Sequence, residues 1–417
     1  MVIYFSGIGG VGLGPLAEVA RDAGHTVIGS DAADGLMLER LRSNGMKIDH
    51  NQTGAFLKSV HTNTPIDWFV HTAALPADHP ELLAARELGL RVTKRDELLA
   101  DIISAKGLKL IAVAGTHGKT TTTGMTVWAF KQLGIPVSYL VGTTLSFGPS
   151  GMYDPESEYF VYECDEFDRN FLHFSPALSL ITSLGYDHSD TYPSQDDYRS
   201  AFSQFIRKSG HAIGWQRDFK QMPEIPADRL WQLADNEVME LGVVGEHNRR
   251  NATLVLKALE YLGLVHPAEK VDFMNSFPGT NRRFEKLADN LYSDYGHHPT
   301  EIAATLQMAR EINEHVVLVY QPHQNIRQHE IKSLYRNCFK QAEKVYWLPT
   351  YLSREDPDLP ILSPETLTKD ITNKDVVEIA QLNDELWTKV ELHRESGDLV
   401  LCMGAGSIDG WVRSHLS

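Results

Sequence analysis

The amino-acid sequence predicts an α/β fold built from three consecutive units, residues 1–107, 108–286 and 287–417. Along the chain, short apolar runs typical of buried strands alternate with stretches that carry apolar residues at helical spacing, a pattern typical of parallel sheets. Two glycine-rich turns, FSGIGGVGLG at residues 5–14 and GTHGKTTTTG at residues 115–124, each stand between a strand pattern and a helix pattern. A length of 417 residues exceeds that of one ordinary hydrophobic core, which agrees with several domains.

Composition limits the classes of protein to which this chain can belong. Hydrophobic residues make up 42% and charged residues 23% of the chain, which is typical of a globular protein, and no apolar run approaches the roughly 18 residues of a membrane span. The net charge of −16 argues against a surface that neutralises nucleic-acid phosphates. Cys164, Cys338 and Cys402 are too scattered for a disulfide framework or a metal site, and the N-terminal residues lack a secretory pattern. We therefore expect a cytoplasmic protein with buried cysteines that binds neither nucleic acid nor a membrane.

The first unit begins with a dinucleotide-binding pattern. VIYFSG, HTVIGSD and IDWFVHTAAL have strand patterns, and LGPLAEVARDAG, LMLERLRSNGM and PELLAARELG have helix patterns. Gly7, Gly9 and Gly12 match G-x-G-x-x-G, and Asp31 follows about 20 residues later, as in nicotinamide-binding proteins. A nicotinamide-dependent oxidoreductase is thus one interpretation, although this glycine pattern alone is a weak signal.

The second unit contains a phosphate-binding loop. The strand LKLIAVA leads into Gly115 and Gly118, which allow a tight turn, and then into a helix that starts with threonines. Lys119 supplies a positive charge for phosphates, and Thr120 supplies a hydroxyl group for Mg²⁺. The strict G-x-x-x-x-G-K-[ST] pattern is only half met, because Val113 replaces its first glycine. The order of strand, G-K-T and helix nevertheless predicts an ATP site.

Two acidic clusters follow strand patterns of the same unit. ECDEFD contains Glu163, Asp165, Glu166 and Asp168, and GYDHSD contains Asp187, His188 and Asp190. Because the carboxyl ends of parallel strands meet at one edge of a sheet, we expect both clusters beside the phosphates. One or two carboxylates suffice for Mg²⁺, which keeps several waters, whereas a neutral imidazole is an unusual ligand for it. The clusters therefore predict a metal site in preference to solvated loops.

The third unit also alternates between strand and helix patterns. LYSDYGHHPTEIAATLQMAREI contains a loop and then a helix with Pro299 near its first turn. HVVLVYQPH, KVYWLP and DLVLCMGAGS are buried-strand patterns with polar loops after them. These features complete the prediction of three α/β units in series.

Eight motifs occur in an order that resembles the Mur ligases. They are GTHGKTTTT, ECDEFD, GYDHSDTY, GEHNRRNA, GTNRRFE, SDYGHHPTEI, YQPH and MGAGSI, and with the opening FSGIGGVGLGPLAEVARDAGHTVIGSD the resemblance covers nearly the whole chain. It implies a Rossmann-like domain that holds a UDP-sugar, a P-loop ATPase-like central domain that binds ATP, and a Rossmann-like C-terminal domain on the amino-acid side. The first glycine turn then holds a nucleotide sugar and not a nicotinamide.

The reaction that this resemblance implies is ATP-dependent amide formation in peptidoglycan synthesis. ATP, with Mg²⁺, phosphorylates the carboxylate of UDP-N-acetylmuramate, and the amine of an amino acid attacks the acyl phosphate. YQPH and YLSREDP look like members that add L-alanine, whereas DEFDRNF has some of the aromatic character of the recycling members that attach L-Ala-γ-D-Glu-meso-diaminopimelate. L-Alanine is the favoured partner, and the expected assembly is a monomer or a homodimer.

The resemblance also implies site residues. The UDP-sugar side comprises Gly7, Gly9, Gly10, Gly12, Asp31, His71 and Thr72. The ATP side comprises Gly115, Thr116, His117, Gly118, Lys119, Thr120, Thr121, His247, Asn248, Asn251, Arg283 and Asp294. The metal positions are Thr120, Glu163 and His188, the amino-acid side comprises His297, His298 and His323, and the catalytic group is Lys119, His188, Arg283 and His298.

Each of these assignments has a structural alternative. Asp31 could be an exposed turn acid, and GEHNRRN could be a polar helix start with an asparagine cap. Arg282 or Arg283 could form a surface ion pair with Glu285, and the two histidines of YGHHP could be N-terminal packing of a helix.

The chain also departs from the family pattern. Cys164 and Phe167 stand where alanine and serine are usual in the acidic motif, and SLGYDH lacks the usual asparagine–isoleucine–glutamate. The stretch from Gly214 to Gly245 is shorter than we expect for the central domain, so we expect part of a peripheral sheet to be missing. These departures bear on the subfamily more than on ATP binding.

Overall fold

The computed structural model describes residues 1–187, 191–220, 222, 225–266, 272–353 and 355–416. Two compact units divide the chain: the first contains Met1–Val238 and Asn251–Met274, and the second contains Met239–Arg250 and Asn275–Ser417. Strand and helix alternate through both, so the predicted α/β class is confirmed. Across the described residues, we find no helix with the length and apolar character that a bilayer crossing needs.

The first unit opens with an all-parallel sheet of strand order β3-β2-β1-β4-β5. Its strands are β1 (Val2–Ser6), β2 (Thr26–Ser30), β3 (Lys47–Asp49), β4 (Trp68–His71) and β5 (Arg91–Thr93). Its helices are α1 (Leu13–Asp22), α2 (Leu36–Ser43), α3 (Ala55–Asn63), α4 (Pro80–Glu87) and α5 (Arg95–Ala105). Residues 3–6 of β1 are buried, as expected for a parallel strand with helices on both faces.

The second sheet has the order β12-β11-β10-β6-β9-β7-β8, with β8 antiparallel to β7. Its strands are β6 (Lys109–Ala114), β7 (Val137–Leu140), β8 (Gly151–Met152), β9 (Tyr159–Glu163), β10 (Leu178–Ile181), β11 (His211–Trp215) and β12 (Leu230–Leu233). The helices of this part are α6 (Lys119–Gln132), α7 (Gln195–Lys208), α8 (Gln216–Phe219) and α9 (Glu246–Tyr261). Because β9 and β10 flank β6, the loops after all three strands meet at one edge, as predicted.

The second compact unit contains the third sheet, of order β13-β14-β18-β15-β16-β17, in which every strand except β13 is parallel to its neighbours. Its strands are β13 (Glu285–Ala288), β14 (Leu291–Asp294), β15 (Val316–Tyr320), β16 (Lys344–Trp347), β17 (Val377–Ile379) and β18 (Leu399–Met403). Its helices are α10 (Pro299–Ile312), α11 (Asn325–Ile331), α12 (Pro364–Thr368), α13 (Asp384–Glu395) and α14 (Ile408–Ser414). Short 3₁₀ helices lie at Phe167–His173, Ala227–Arg229, Asp235–Glu237, Phe273–Ser276, Lys332–Asn337 and Lys374–Val376.

The hydrophobic cores follow the faces of the sheets. One continuous core in the first unit runs from β1 and α1 through α5 to β6, β9 and α7, so that the first two sheets share buried side chains. The faces of the third sheet carry two further cores. Cys164, Cys338 and Cys402 are free and buried within these cores, which confirms the prediction that they are structural apolar residues.

Candidate active site

The loop between β6 and α6 turns through two glycines with positive φ. Gly115 has φ +135° and Gly118 has φ +86°, conformations that residues with a Cβ rarely adopt. A Cβ on Gly118 would lie only 3.0 Å from Asn251 Oδ1. Helix α6 begins at Lys119 with no side chain capping its N-terminus. Its first-turn amide groups therefore suit an anion such as a phosphate.

Lys119 is bound both within this loop and to an acidic residue that follows β9. Its Nζ donates to the carbonyl oxygen of Gly115 at 2.8 Å and to Glu166 Oε2 at 2.7 Å, and it lies 3.9 Å from Asp165 Oδ1. The side chain of Glu166 is fully buried. Burial opposes the charged form of the lysine, but the charges of Glu166 and Asp165 outweigh it and raise the pKa of Lys119. The side chain is therefore a stable cation beside the helix N-terminus.

Thr120 and Glu163 meet at the same edge of the sheet. Thr120 Oγ1 donates to Glu163 Oε1 at 2.7 Å, and the amide of Gly142 donates to Glu163 Oε2 at 2.9 Å. A hydroxyl and a carboxylate are oxygen ligands of the kind that Mg²⁺ prefers. Among the described residues, no three His, Cys, Asp or Glu side chains come together as a metal site. Thr120 and Glu163 are thus the predicted metal positions that the described residues include, and the third predicted position, His188, lies outside them.

The other predicted residues of the loop bind neighbouring segments or lie at the helix start. Thr116 Oγ1 shares a 2.7 Å hydrogen bond with the hydroxyl of Tyr198, and the amide of His117 donates to Ser183 Oγ at 3.0 Å. Thr121 stands on the first turn of α6 and is partly exposed. The loop is therefore held against the segments that follow β10, which fixes its backbone before any ligand binds.

The glycine turn after β1 is held by Asp31. Asp31 Oδ2 accepts a 2.8 Å hydrogen bond from the amide of Gly9, and its Oδ1 accepts one from the amide of Ala33 at 3.2 Å, so the half-buried carboxylate stabilises both turns. A nicotinamide site uses an acid at this position for a ribose hydroxyl, whereas here one carboxylate oxygen is occupied by the loop itself. A contact between Asp31 and uridine stays a prediction.

Three of the four glycine amides that we expect beside the UDP-sugar have protein acceptors, and their approach to the nucleotide stays a prediction. The amides of Gly7 and Gly10 donate to the carbonyl oxygens of Ser30 and Gly7, at 2.8 and 3.2 Å, and that of Gly9 donates to Asp31. These three amides already have acceptors, because the turn is packed onto the end of β2. Gly12 has no such bond among the described contacts.

His71 and Thr72, at the end of β4, lie beside this turn. A Cβ on Gly7, which has φ +82°, would come within 2.7 Å of Thr72 Cγ2, so close packing against Thr72 requires the glycine. His71 Nδ1 is 2.9 Å from the carbonyl oxygen of Thr72, and burial lowers the pKa of its imidazole. His71 is therefore a neutral polar group at the edge of the first sheet.

The motif GEHNRRN forms the start of helix α9, and the boundary between the two compact units falls within it. Asn251 is buried and packs against Gly118 of the phosphate loop. Asn248 Nδ2 donates to the carbonyl oxygen of Val244 at 3.1 Å, so this asparagine does tie the helix start. Burial lowers the pKa of His247 to about 4. Of the three predicted residues, Asn251 is the one that the structure places at the phosphate loop.

Arg282 and Arg283 lie just before β13, where Arg282 and Phe284 have the left-handed φ values +57° and +52°. The guanidinium of Arg282 donates to the carbonyl oxygen of Gly404 at 2.9 Å, and its Nε lies 3.5 Å from Asp409 Oδ2. Glu285 instead binds the Arg413 guanidinium at 2.6 Å. A side-chain ion pair of Arg282 with Glu285 is therefore not formed. Arg283 lies over the ring of Tyr295, 5.2 Å from its centroid.

Asp294 is buried at the end of β14. Its Oδ2 accepts from the amide of Phe284 at 2.8 Å and its Oδ1 from the amide of Gly296 at 2.7 Å. Burial raises the pKa of Asp294 to about 6, against the lowering effect of the Arg283 charge. Both oxygens thus stabilise the local backbone, and a contact with a nucleotide ribose stays a prediction.

The three histidines predicted on the amino-acid side, which belong to the second compact unit, have two kinds of contact: one caps a helix, and the other two form a cluster of rings. His298 is the N-cap of α10, where its Nδ1 accepts a hydrogen bond from the amide of Thr300 at 3.3 Å. This contact is of the kind expected if the histidine only packs at the start of the helix. His297 and His323 meet edge to face with ring centroids 5.6 Å apart, and His323 stacks on Tyr351. Burial, with the nearby charge of Arg327, lowers the pKa of His297 to about 4.

Comparisons with known proteins cover the chain from end to end. Three family models match in order: "Mur ligase family, catalytic domain" at residues 2–106, "Mur ligase middle domain" at 113–222 and "Mur ligase, glutamate ligase domain" at 282–406. UDP-N-acetylmuramate–L-alanine ligase of Kineococcus radiotolerans is 32% identical over 452 aligned residues, which cover 97% of this chain and 93% of that protein. The chain belongs to the Mur ligase family. As a Mur ligase it is a carbon–nitrogen ligase that depends on ATP.

Solved structures agree with this membership. The structure of UDP-N-acetylmuramate–alanine ligase from Thermotoga maritima matches with a TM-score of 0.75 and 26% identity, covering 100% of this Mur ligase and 98% of that chain. A murein peptide ligase from Psychrobacter arcticus matches with a TM-score of 0.64 and 23% identity, covering 100% and 98%, which shows the shared fold. The three-domain α/β Mur ligase architecture is thus confirmed, and the three predicted domain limits stay predictions.

Three residues, two in the first compact unit and one in the second, escaped the sequence prediction of site roles. Glu166 stood in the acidic cluster, but its pairing with Lys119 depends on β9 lying beside β6. Arg327, which contacts His297 Nε2, lies on α11 just after YQPH. Arg95 starts α5 and lies against Gly12 of the first glycine turn. Arg95 could have been noticed in the sequence as a positively charged residue at the start of a helix in a nucleotide-binding domain.

Proposed function

We propose that this Mur ligase joins the carboxyl group of UDP-N-acetylmuramate to the amino group of L-alanine, converting ATP to ADP and phosphate. The observation that carries the proposal is similarity to L-alanine ligases over almost the whole length of both chains, together with an intact phosphate loop that bears a charged lysine. A carboxylate is a poor acyl donor, because its carbonyl carbon resists attack by an amine, and ATP supplies the phosphoryl group that turns it into a reactive acyl phosphate. The amine nitrogen then bonds to the carbonyl carbon as the C–O bond to phosphate breaks.

The residues of the phosphate loop would bind and stabilise negative charge in this reaction. The uncapped N-terminus of α6 and the backbone turned by Gly115 and Gly118 fit the phosphates of ATP. Lys119 Nζ, kept protonated by Glu166 and Asp165, would offset charge that develops on the transferred phosphoryl group. Catalytic roles for Arg283 and His298 stay predictions; in the structure they contact Tyr295 and cap α10.

We assign the Mg²⁺ site to Thr120 and Glu163. Their hydroxyl and carboxylate oxygens are 2.7 Å apart beside the phosphate loop, and Mg²⁺ would supply charge neutralisation for the phosphates. The bond from the Gly142 amide fixes the carboxylate without removing its charge. The oxygen donors of this pair fit a hard cation, and the predicted role of His188 stays a prediction.

Glu163→Gln is expected to raise the Mg²⁺ concentration for half-maximal activity by about 10-fold or more, because the amide loses the negative charge that attracts the cation. A Mg²⁺ titration of ATP-dependent phosphate release measures this shift. Glu158→Gln is the matched control, since Glu158 precedes the same strand and pairs with Lys109 in an exposed position. An unchanged Mg²⁺ requirement in Glu163→Gln would remove Glu163 from the metal site.

The amino-acid substrate is tested by phosphate release with UDP-N-acetylmuramate, ATP and each proteinogenic amino acid in turn. We expect release with L-alanine and a product whose mass equals the sum of both substrates less one water. A parallel assay uses L-Ala-γ-D-Glu-meso-diaminopimelate, the substrate of the recycling alternative. Release with the tripeptide and not with L-alanine would overturn the proposed substrate while leaving the ligase chemistry in place.

The oxidoreductase interpretation loses its support because the three family models that match this chain are all Mur ligase models. We expect no NAD(H) binding in a fluorescence titration. The cytoplasmic location follows from the substrates of the proposed reaction and agrees with three free cysteines; the monomeric or dimeric state stays a prediction.

A further inference from the structure

Two buried tyrosines bond to the two loops that hold Lys119. Tyr198, on α7, is 2% exposed, and its hydroxyl oxygen lies 2.7 Å from Thr116 Oγ1 in the phosphate loop. Tyr192, just before α7, is fully buried, and its hydroxyl donates to the carbonyl oxygen of Glu166 at 2.5 Å. The two rings meet edge to face, with centroids 5.0 Å apart. We call this pair the tyrosine brace, because it joins the phosphate loop to the loop that carries Glu166.

The hydroxyl of Thr116 uses its full hydrogen-bonding capacity. It donates its one proton to the carbonyl oxygen of Gly185 at 2.6 Å and accepts from the amide of Gly185 at 2.9 Å. Its remaining lone pair can only accept, so Tyr198 is the donor in their shared bond. Burial raises the pKa of both phenols of the brace, which keeps them protonated. Tyr198 therefore holds the phosphate loop at the residue that follows Gly115.

Tyr192 holds Glu166 at a bend in the backbone. The carbonyl oxygen of Glu166 accepts from the Tyr192 hydroxyl and from the amide of Arg169, at 2.5 and 3.0 Å. Asp168 and Arg169 have φ values of +54° and +57°, a conformation that persists in residues with a Cβ only where surrounding contacts enforce it. Arg169 also lies over the Tyr192 ring and binds Asp197 of α7 at 2.6 Å. Contacts with Tyr192 and α7 thus enforce the bend that follows Glu166.

We propose that Tyr192 and Tyr198 are positioning residues that fix the place of Lys119 Nζ at the phosphate loop. The inference rests on the role that the proposed function gives to Lys119. Nζ donates to the Gly115 carbonyl oxygen and to the Glu166 carboxylate, and these acceptors lie on the two loops that the brace joins. A change in the distance between the loops therefore moves Nζ relative to the phosphates. A displacement of about 1 Å in a reacting geometry can cost about 100-fold in rate.

Tyr192→Phe and Tyr198→Phe remove the hydroxyl groups one at a time and keep the rings. We expect Tyr192→Phe to lower kcat by about 10-fold to 100-fold with the KM for ATP unchanged, because the charge of Lys119 counts most while the phosphoryl group is transferred. We expect Tyr198→Phe to weaken binding of a non-hydrolysable ATP analogue by about 10-fold, because the loop backbone binds the phosphates before the reaction as well as during it. UDP binding, measured by calorimetry, should be unchanged in both variants.

A double-mutant cycle shows whether Tyr192 acts through Lys119. In the Lys119→Ala background, Tyr192→Phe should lower the residual rate of phosphate release by less than about 2-fold, since the group that it positions is gone. A loss as large as that in the wild-type background would overturn the inference.

Tyr346→Phe is the matched control for lost stability. Tyr346 lies on β16 in the third sheet, is also buried, and has its hydroxyl 3.1 Å from His393 Nε2. This variant should lower the midpoint of thermal unfolding as the brace variants do, while kcat and ATP affinity stay at wild-type values. If the brace variants lose UDP affinity along with ATP affinity, the tyrosines only support the fold, which overturns the inference.

The outcomes separate this inference from the proposed function. If the wild type ligates L-alanine and both brace variants keep wild-type kcat and ATP affinity, the inference fails and the proposed function stands. Binding of the ATP analogue needs no amino acid. If Tyr198→Phe weakens that binding but the wild type ligates no amino acid, the hold of the brace on the phosphate loop stands and the proposed function fails.

Discussion

Lys119→Ala is expected to lower kcat for ATP-dependent phosphate release by about 10³-fold, because the variant loses the cation that offsets charge on the transferred phosphoryl group. The structure predicts a second effect of the same change. Glu166 is fully buried and bonds to Lys119 Nζ at 2.7 Å, so the variant leaves a buried carboxylate without its partner. Removing one member of a buried pair costs about 3–5 kcal/mol of folding free energy.

The double variant Lys119→Ala/Glu166→Gln separates these two effects. Replacing the carboxylate with a neutral amide removes the buried charge that Lys119 no longer neutralises, so the midpoint of thermal unfolding should return toward that of the wild type. Turnover should not return, since the cation is still absent. The assignment of Lys119 fails if Lys119→Ala releases phosphate at the wild-type rate, or if the double variant recovers rate along with stability.

Gly115→Ala is expected to weaken ATP binding by more than about 100-fold, equivalent to about 2.7 kcal/mol. The new Cβ would lie 2.3 Å from Thr182 Oγ1 and 2.8 Å from the carbonyl oxygen of Ser183, at φ +135°. Ser183 also accepts the amides of Thr116 and His117. Relief of the clash must therefore move the backbone that we expect to hold the phosphates. Titration with a non-hydrolysable ATP analogue measures the loss.

Gly134→Ala is the matched control for Gly115→Ala. Gly134 has φ +67°, and a Cβ there meets no heavy atom within 4 Å, so this variant carries only the cost of a left-handed residue, about 1–2 kcal/mol of stability. ATP binding should be preserved. UDP binding should be preserved in both variants, because the first sheet keeps its glycine turn. Similar ATP affinities for Gly115→Ala and Gly134→Ala would show that loop geometry at Gly115 does not control nucleotide binding.

The contacts of the acidic cluster show where sequence reasoning succeeded and where it stopped. The position of Glu163 beside Thr120 was predictable, since both follow strands of one parallel sheet and strand ends share an edge. The choice of Glu166 as the partner of Lys119 was not. Four acids lie within six residues of sequence there, and left-handed φ values at Asp168 and Arg169 bend the chain just after Glu166. Because neither residue is a glycine, this bend left no sign in the sequence.

The first glycine turn was recognised, but its use of hydrogen bonds was not. G-x-G-x-x-G states only that three positions tolerate the absence of a side chain. The pattern does not show what occupies the space that each missing side chain leaves. That space can hold a ligand, or a protein group such as the Thr72 side chain beside Gly7 or the Arg95 guanidinium beside Gly12. Equally, an ion pair with Glu285 was one structural alternative for the arginines of GTNRRFE, and in the structure Glu285 binds Arg413, 128 residues further along the chain.

The sequence by itself determined the alternation of strands and helices, the α/β class and the phosphate loop, whereas short elements such as β3 and β5 were missed. The three features that it determined depend on neighbouring residues: the period of apolar side chains, glycines where φ is positive, and a lysine at the start of a helix. The tertiary structure alone decided which charges meet, including Lys119 with Glu166, Asp31 with the Gly9 amide and Arg95 with the first glycine turn. The physical reason is that such pairs join residues on different strands and helices, and their distances depend on sheet order and packing, which no local pattern encodes.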